Sequence, residues 1–173
     1  AISLFALLLA ALTILGGKLG DILGKKKVFM TGLVLYSVAA AVTALATGPL
    51  VLTIGFSLIR SVAVALAVPA SVALIIAGYA DENQRGQAFA VYGVGAMTAG
   101  LVAPLLMGFM ADKVSWRVPF GLEVLIALVA VILSCKIRET PTVDTRVDII
   151  GTLLAFFAFG SVVLGGMLGG PYG

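Results

Sequence analysis

Long apolar runs, separated by short clusters of charge and glycine, set the pattern of this chain. A membrane-spanning helix needs about 20 mostly apolar residues. About six stretches qualify as candidates: Ala1 to Gly17, Val28 to Ala46, Leu50 to Ala80, Gln87 to Ala111, Val118 to Cys135, and a last run from Ile149. "TGP" at Thr47 to Pro49, the loop "DENQRG", and "DKVSWR" mark breaks between them. The runs do not alternate, and a barrel strand needs only about 10 residues, so strands are not expected. The pattern predicts an all-α integral membrane protein, a polytopic helical bundle of about six transmembrane helices.

The placement of lysine and arginine orients the bundle. If the spans alternate, Lys18, Lys25, Lys26, Lys27, Arg85, Lys136, Arg138 and Arg146 share one side, and only Lys113 and Arg117 lie on the other. The first side is read as cytoplasmic, which predicts a multi-pass protein of the cell's inner (plasma) membrane. Composition agrees. Hydrophobic residues make up 61% and charged residues 11%, against roughly 25% charged in a soluble domain. The net charge of +3 does not indicate nucleic acid, because the basic residues sit between apolar runs. A single cysteine, Cys135, excludes an internal disulfide. The absence of histidine excludes HExxH zinc chemistry and Ser-His catalysis. No metal or cofactor is expected. The chain opens without methionine inside an apolar run and closes at "GGPYG", so it reads as a piece of a longer protein.

A few residues do not fit the bland pattern. "GGKLGDILGKKKVF", Gly16 to Phe29, reads as a charged loop. It lacks the GK[ST] ending and the strand of a phosphate cradle. A cytoplasmic anchor accounts for its lysines, but not for Asp21 or the glycines at positions 17, 20 and 24. Arg60 sits roughly 15 Å into its helix, where an arginine costs about 2.5–3.5 kcal/mol to insert. It is either half of a buried ion pair or a functional group. Glu123 lies five or so residues in from the outer interface; it reaches water, pairs with Lys113 or Arg117, or titrates in a central cavity. Ala96, Gly100, Pro104 and Gly108 recur every four residues as a smooth stripe that permits close helix approach. Phe5, Phe56 and Tyr92 line a cavity or face lipid. "GKLGDILGKK" also aligns with "GFMADKVSWR", one on each side of the membrane, which suggests an inverted repeat.

Taken in order, these motifs resemble the 14-helix drug:proton antiporter branch of the major facilitator superfamily. Gly17, Leu19, Asp21, Gly24, Lys25 and Lys26 match the pattern G-x-L-a-D-r-x-G-r-k of the loop between family helices 2 and 3, with Ile22 in place of a basic residue. Arg60 matches the helix 4 arginine, with Ala63 and Val64 where the family has glutamine and glycine. "APLLMG" supplies Pro104 and Gly108 of the helix 5 antiporter motif, which Gly100 precedes on the same stripe. "SWRVPF", with Trp116 and Arg117, resembles the opening of helix 6, and "NQRGQAFAVYG" and "VDIIG" fit the same branch. Asp148 also reads as a helix N-cap. Glu123 departs from the branch, which has F-x-x-N-x-P here.

The resemblance implies residues 1–135 as helices 2–6 of a six-helix bundle, 136–148 as a cytoplasmic linker, and 149–173 as a first extra central helix. It implies a conformational latch in the loop motif, a proton-coupling role for Arg60, and alternating access that exports amphipathic small molecules against proton entry. The expected partners are the lipid bilayer, protons, a small-molecule substrate, and the remainder of the polypeptide, helix 1 and the second bundle. The rival readings are a nutrient:proton symporter of the same superfamily and a membrane scaffold that does not transport. A membrane enzyme would need a nucleophile with a base, or a metal cluster, at membrane depth; the chain has no histidine, and Arg60 and Glu123 are its clear intramembrane charges.

Overall fold

The computed structural model describes residues 2–137 and the isolated positions 139, 154, 157, 158, 161 and 165. Apart from those positions, the linker 136–148 and the run from Ile149 lie outside the described residues, Arg138, Arg146 and Asp148 among them. Every regular element that is described is helical. Helix α1 covers Ile2–Leu23 and α2 covers Lys25–Ala44. Helix α3 runs through Pro49–Gly78, with a π-helical segment at Ile54–Ile59 inside it. Helix α4 covers Glu82–Lys113 and α5 covers Val118–Ser134. The first four are long and apolar enough to cross a membrane. Helix α5 has 17 residues, about 25 Å of rise.

Two of the expected loops turn out to be helix. Gly17 to Leu23 continues α1, and Lys25 already belongs to α2, so the charged stretch contains a single non-helical residue. That residue is Gly24, with φ of 101°, a conformation that a Cβ disfavours. Charge marks where a helix leaves the membrane; it does not end the helix, because lysine, leucine and isoleucine there all tolerate helical backbone. "DENQRG" behaves likewise. Asp81 accepts a hydrogen bond from Gln84 N at 3.1 Å and caps α4, leaving "ENQRG" as its first turns. Helix α4 therefore has 32 residues and rises about 48 Å, well beyond a hydrocarbon core of about 30 Å.

The bundle is built around α3, which packs against α1 and α2, while α2 also packs against α5. The buried positions are small: Ala11, Ala39, Ala40, Ala63, Ala65 and Ala70, with Ser57 and Ser61. Large side chains such as Leu50, Val91, Leu101 and Leu125 face outward. Lipid solvates leucine as well as a core does, so close backbone approach, not apolar burial, holds such helices together. A Cβ at Gly16 of α1 would collide with the Ala65 carbonyl of α3. A Cβ at Gly32 of α2 would come 2.8 Å from Ala67 N and 2.9 Å from Ala63 O. Helix α4 stands apart and buries none of its residues.

The junctions sort by side. Lys26 Nζ donates to Cys135 O at 3.1 Å, joining the start of α2 to the end of α5. Arg117 Nη2 donates to Ala46 O at 2.8 Å, joining the α2–α3 and α4–α5 junctions at the opposite end. This is the alternation that the lysine and arginine distribution predicts.

The α1–α3 crossing gives a direct test. Gly16→Ala forces the two backbones apart and lowers stability by about 1–3 kcal/mol in thermal unfolding of the detergent-solubilised protein. Gly20→Ala, where no atom lies within 4 Å of the added Cβ, leaves the transition unchanged or raised.

Candidate functional site

Three helices converge on Arg60. It follows directly on the π-helical segment of α3. Such segments occur often at functional sites. Two neighbours shape this one. Gly55 lies so close to Thr43 that a Cβ would meet its Oγ1 at 2.7 Å. Ser61 Oγ donates back to Ser57 O at 2.6 Å and to Leu58 O at 2.9 Å, a contact that bends helices.

Arg60 Nη2 donates to Glu123 Oε1 of α5 at 2.8 Å and to the Tyr36 hydroxyl of α2 at 2.5 Å. The guanidinium lies 4.8 Å from the Tyr36 ring centre and 5.1 Å from that of Phe56. The side chains of Arg60 and Glu123 are only 14% and 20% exposed. Among the described residues, the buried Arg60 Nη1 and Glu123 Oε2 find no hydrogen-bond partner, and one direct bond joins the ion pair. A buried arginine beside a carboxylate avoids most of the cost of an isolated charge.

Glu123 thus pairs with neither Lys113 nor Arg117. Arg117 stacks over the Trp116 ring at 4.3 Å and bonds to Ala46 instead. Arg60 finds its carboxylate within this chain. Arg60 lies about 16 Å along α3, and Glu123 about 8 Å along α5. Their backbones differ in depth, and the long arginine side chain spans the difference. Two opposite charges in one apolar interior were the available signal, since pairing is the cheapest way to keep both. Nothing in the sequence singles out Tyr36, one tyrosine in an apolar helix.

Ring contacts connect this centre to the outer rim. Phe5 and Phe56 are 5.9 Å apart, Phe56 and Phe120 6.3 Å, and Phe120 and Trp116 6.3 Å. Tyr92 is separate; it faces an apolar groove between α3 and α4, with its hydroxyl 3.3 Å from Ser71 Oγ.

The remaining motif residues lie elsewhere. Gly17, Leu19 and Asp21 occupy the last turns of α1, and Gly24, Lys25 and Lys26 the junction with α2. Asp21 is exposed. Its carboxylate stands at the negative end of its own helix, which is unfavourable there. Lys26 is placed the favourable way, a cation at the C-terminus of α5. The carboxylate of Glu139 sits against Gly24, where a Cβ would come 2.7 Å from its Oε1. Gly100, Pro104 and Gly108 lie on the exposed surface of α4, and a Cβ at either glycine would meet nothing within 4 Å. Asp21 and Asp112, which the internal alignment equates, are both exposed near the C-terminal ends of α1 and α4.

A family model described as Major Facilitator Superfamily matches residues 1–168. The Methylenomycin A resistance protein of Bacillus subtilis is 31% identical over 157 residues, 90% of this chain and 34% of that protein. The MFS-type transporter EfpA of Mycobacterium tuberculosis is 34% identical over 170 residues, 97% of this chain and 32% of that protein. The chain thus spans about a third of the length of the curated relatives it matches. A peptide transporter POT, solved in complex with alafosfalin, superposes with a TM-score of 0.75 at 19% identity. That match covers 96% of this chain and 36% of the transporter, and it establishes the fold.

The buried pair predicts strong coupling. Arg60→Met alone strands the carboxylate and costs about 3–5 kcal/mol, whereas Arg60→Met with Glu123→Leu recovers most of the loss. A double-mutant cycle on unfolding of the solubilised protein measures the difference.

Proposed function

The chain belongs to the major facilitator superfamily, and on that footing we propose that the full-length protein is a proton-coupled exporter of amphipathic small molecules, working by alternating access. The observation that carries this reading is the Arg60–Glu123 pair, two opposite charges joined at 2.8 Å at membrane depth. Relatives named for resistance or export, the Methylenomycin A resistance protein, the Puromycin resistance protein pur8 and the Cephamycin export protein CmcT, support small molecules as cargo.

The cycle follows from the charges. With the protein open outward, a proton binds Glu123 Oε2, and the carboxylate becomes a neutral acid. Arg60 keeps its charge throughout, and its hold on Glu123 weakens because the ionic part of the bond is gone. The change biases the bundle between its two arrangements. Opening inward returns the proton to the cytoplasm and restores the pair. Substrate leaves in the opposite direction.

Helices α1–α5 correspond to family helices 2–6 in this reading. The uncovered small-residue stripe of α4, Ala96, Gly100, Pro104 and Gly108, suits a tightly packed helix from the remainder of the polypeptide. The α1–α2 junction acts as the cytoplasmic latch. Asp21, unfavourable on its own helix, finds a helix N-terminus or a cation on the other half. Lys26 holds the junction to the end of α5.

The test uses the full-length protein in liposomes, an imposed pH gradient and ethidium as the transported probe. Glu123→Gln and Arg60→Ala each reduce gradient-driven efflux at least about tenfold, equivalent to about 1.4 kcal/mol, and Glu123→Gln removes the pH dependence of the residual flux. Unchanged efflux with unchanged pH dependence in both variants would refute the proposal. Proton release on substrate addition marks an exporter; proton uptake together with substrate marks a symporter.

A further inference from the structure

Helices α2 and α5 are fastened to each other in the same way at both ends. Lys26, in the first turn of α2, donates from Nζ to the carbonyl of Cys135, the residue that caps the end of α5, at 3.1 Å. Arg117, the residue just before α5, donates from Nη2 to the carbonyl of Ala46, just past the end of α2, at 2.8 Å. Each helix thus opens with a cation that reaches the carbonyl closing the other. The sequence carries the same relation. Lys26 and Arg117 are the last residues of the aligned stretches "GKLGDILGKK" and "GFMADKVSWR". Two positions equated by that alignment make the same contact on opposite faces of the membrane.

The physics of the two contacts is also shared. The last carbonyls of a helix have no partner within it and carry partial negative charge, so a cation there is favourable. Each cation stands at the unfavourable end of its own helix and the favourable end of its partner's. A charged donor makes a stronger bond than a neutral one. The charge bias that orients the chain accounts for Lys26 but not for Arg117, which lies on the side poor in lysine and arginine. Helix α5 needs such fastening: it packs chiefly on α2 and touches α4 little, and lipid solvates its leucines and valines as well as a neighbouring helix does.

We infer that Lys26 and Arg117 are the two halves of a reciprocal clasp, one at each membrane face, that holds α5 against α2. The clasp acts on helix position and does not depend on the direction of transport.

The test measures distances between spin labels in the full-length protein in lipid nanodiscs, in a background with Cys135→Ser and no other cysteine. The Cys135 carbonyl that Lys26 reaches is backbone, so this background keeps it. One pair of labels, at exposed Thr31 and Ile132, reports the Lys26 end; a second, at exposed Leu45 and Leu122, reports the Arg117 end. Lys26→Met raises the population of long distances at the first pair about tenfold, the effect of losing one hydrogen bond from a charged group, and leaves the second pair unchanged. Arg117→Met does the converse. Lys26→Arg, which keeps a cation in reach of the carbonyl, retains the wild-type distances at both pairs. Unchanged distances in both methionine variants overturn the inference. So does a variant that lengthens both pairs alike, which marks general loosening, and so does Lys26→Arg behaving as Lys26→Met.

Discussion

A guanidinium and a carboxylate buried in an apolar interior must find each other, and the arrangement of α2, α3 and α5 serves that requirement. Arg60 comes from the helix at the centre of the bundle, Glu123 from one at its flank, and Tyr36 from the helix between them. Moving either charged helix outward by a few ångströms would leave two unpaired charges, each costing several kcal/mol. The pair therefore constrains how the helices are positioned. The small residues at the crossings make that positioning possible. Gly16 and Gly32 let α1 and α2 approach α3 to backbone contact, and the π-helical segment with its Ser61 back-bonds sets the stretch of α3 that leads into Arg60.

The pair stands among aromatic groups: the Tyr36 and Phe56 rings lie 4.8 Å and 5.1 Å from the guanidinium. The ring contacts from Phe56 through Phe120 to Trp116 and Arg117 give that centre a packed connection to the outer rim. At the opposite end, Lys26 bonds the start of α2 to the end of α5, and the Glu139 carboxylate lies against Gly24. A shift of α5 relative to α2 therefore strains both ends of the molecule together.

Much of this was legible in the sequence. Span length and the lysine distribution gave the helices and their alternation, because hydropathy and backbone satisfaction in lipid leave few options. The site residues were visible as exceptions: Arg60 and Glu123 as charges in apolar runs, Asp21 and Gly24 as features that anchoring does not require. What the sequence could not supply was relation. Arg60 and Glu123 sit at different depths on helices 63 residues apart in sequence, and only packing shows that one side chain spans the gap. Helix ends were misplaced at Gly17 to Leu23 and at "ENQRG" because charge was read as loop. The Asp81–Gln84 cap was a local signal that could have corrected the second of these. Tyr36 carried no signal, since its contact with Arg60 exists only once the helices pack.

The central claim is that Glu123, within reach of Arg60 and Tyr36, takes and releases the coupled proton. Infrared difference spectroscopy of the full-length protein in lipid, between alkaline and acidic pH, tests this without a substrate. The account predicts a protonated-carboxyl stretch that grows on acidification and is absent from Glu123→Gln. A difference spectrum that is the same in the wild-type protein and Glu123→Gln would contradict it.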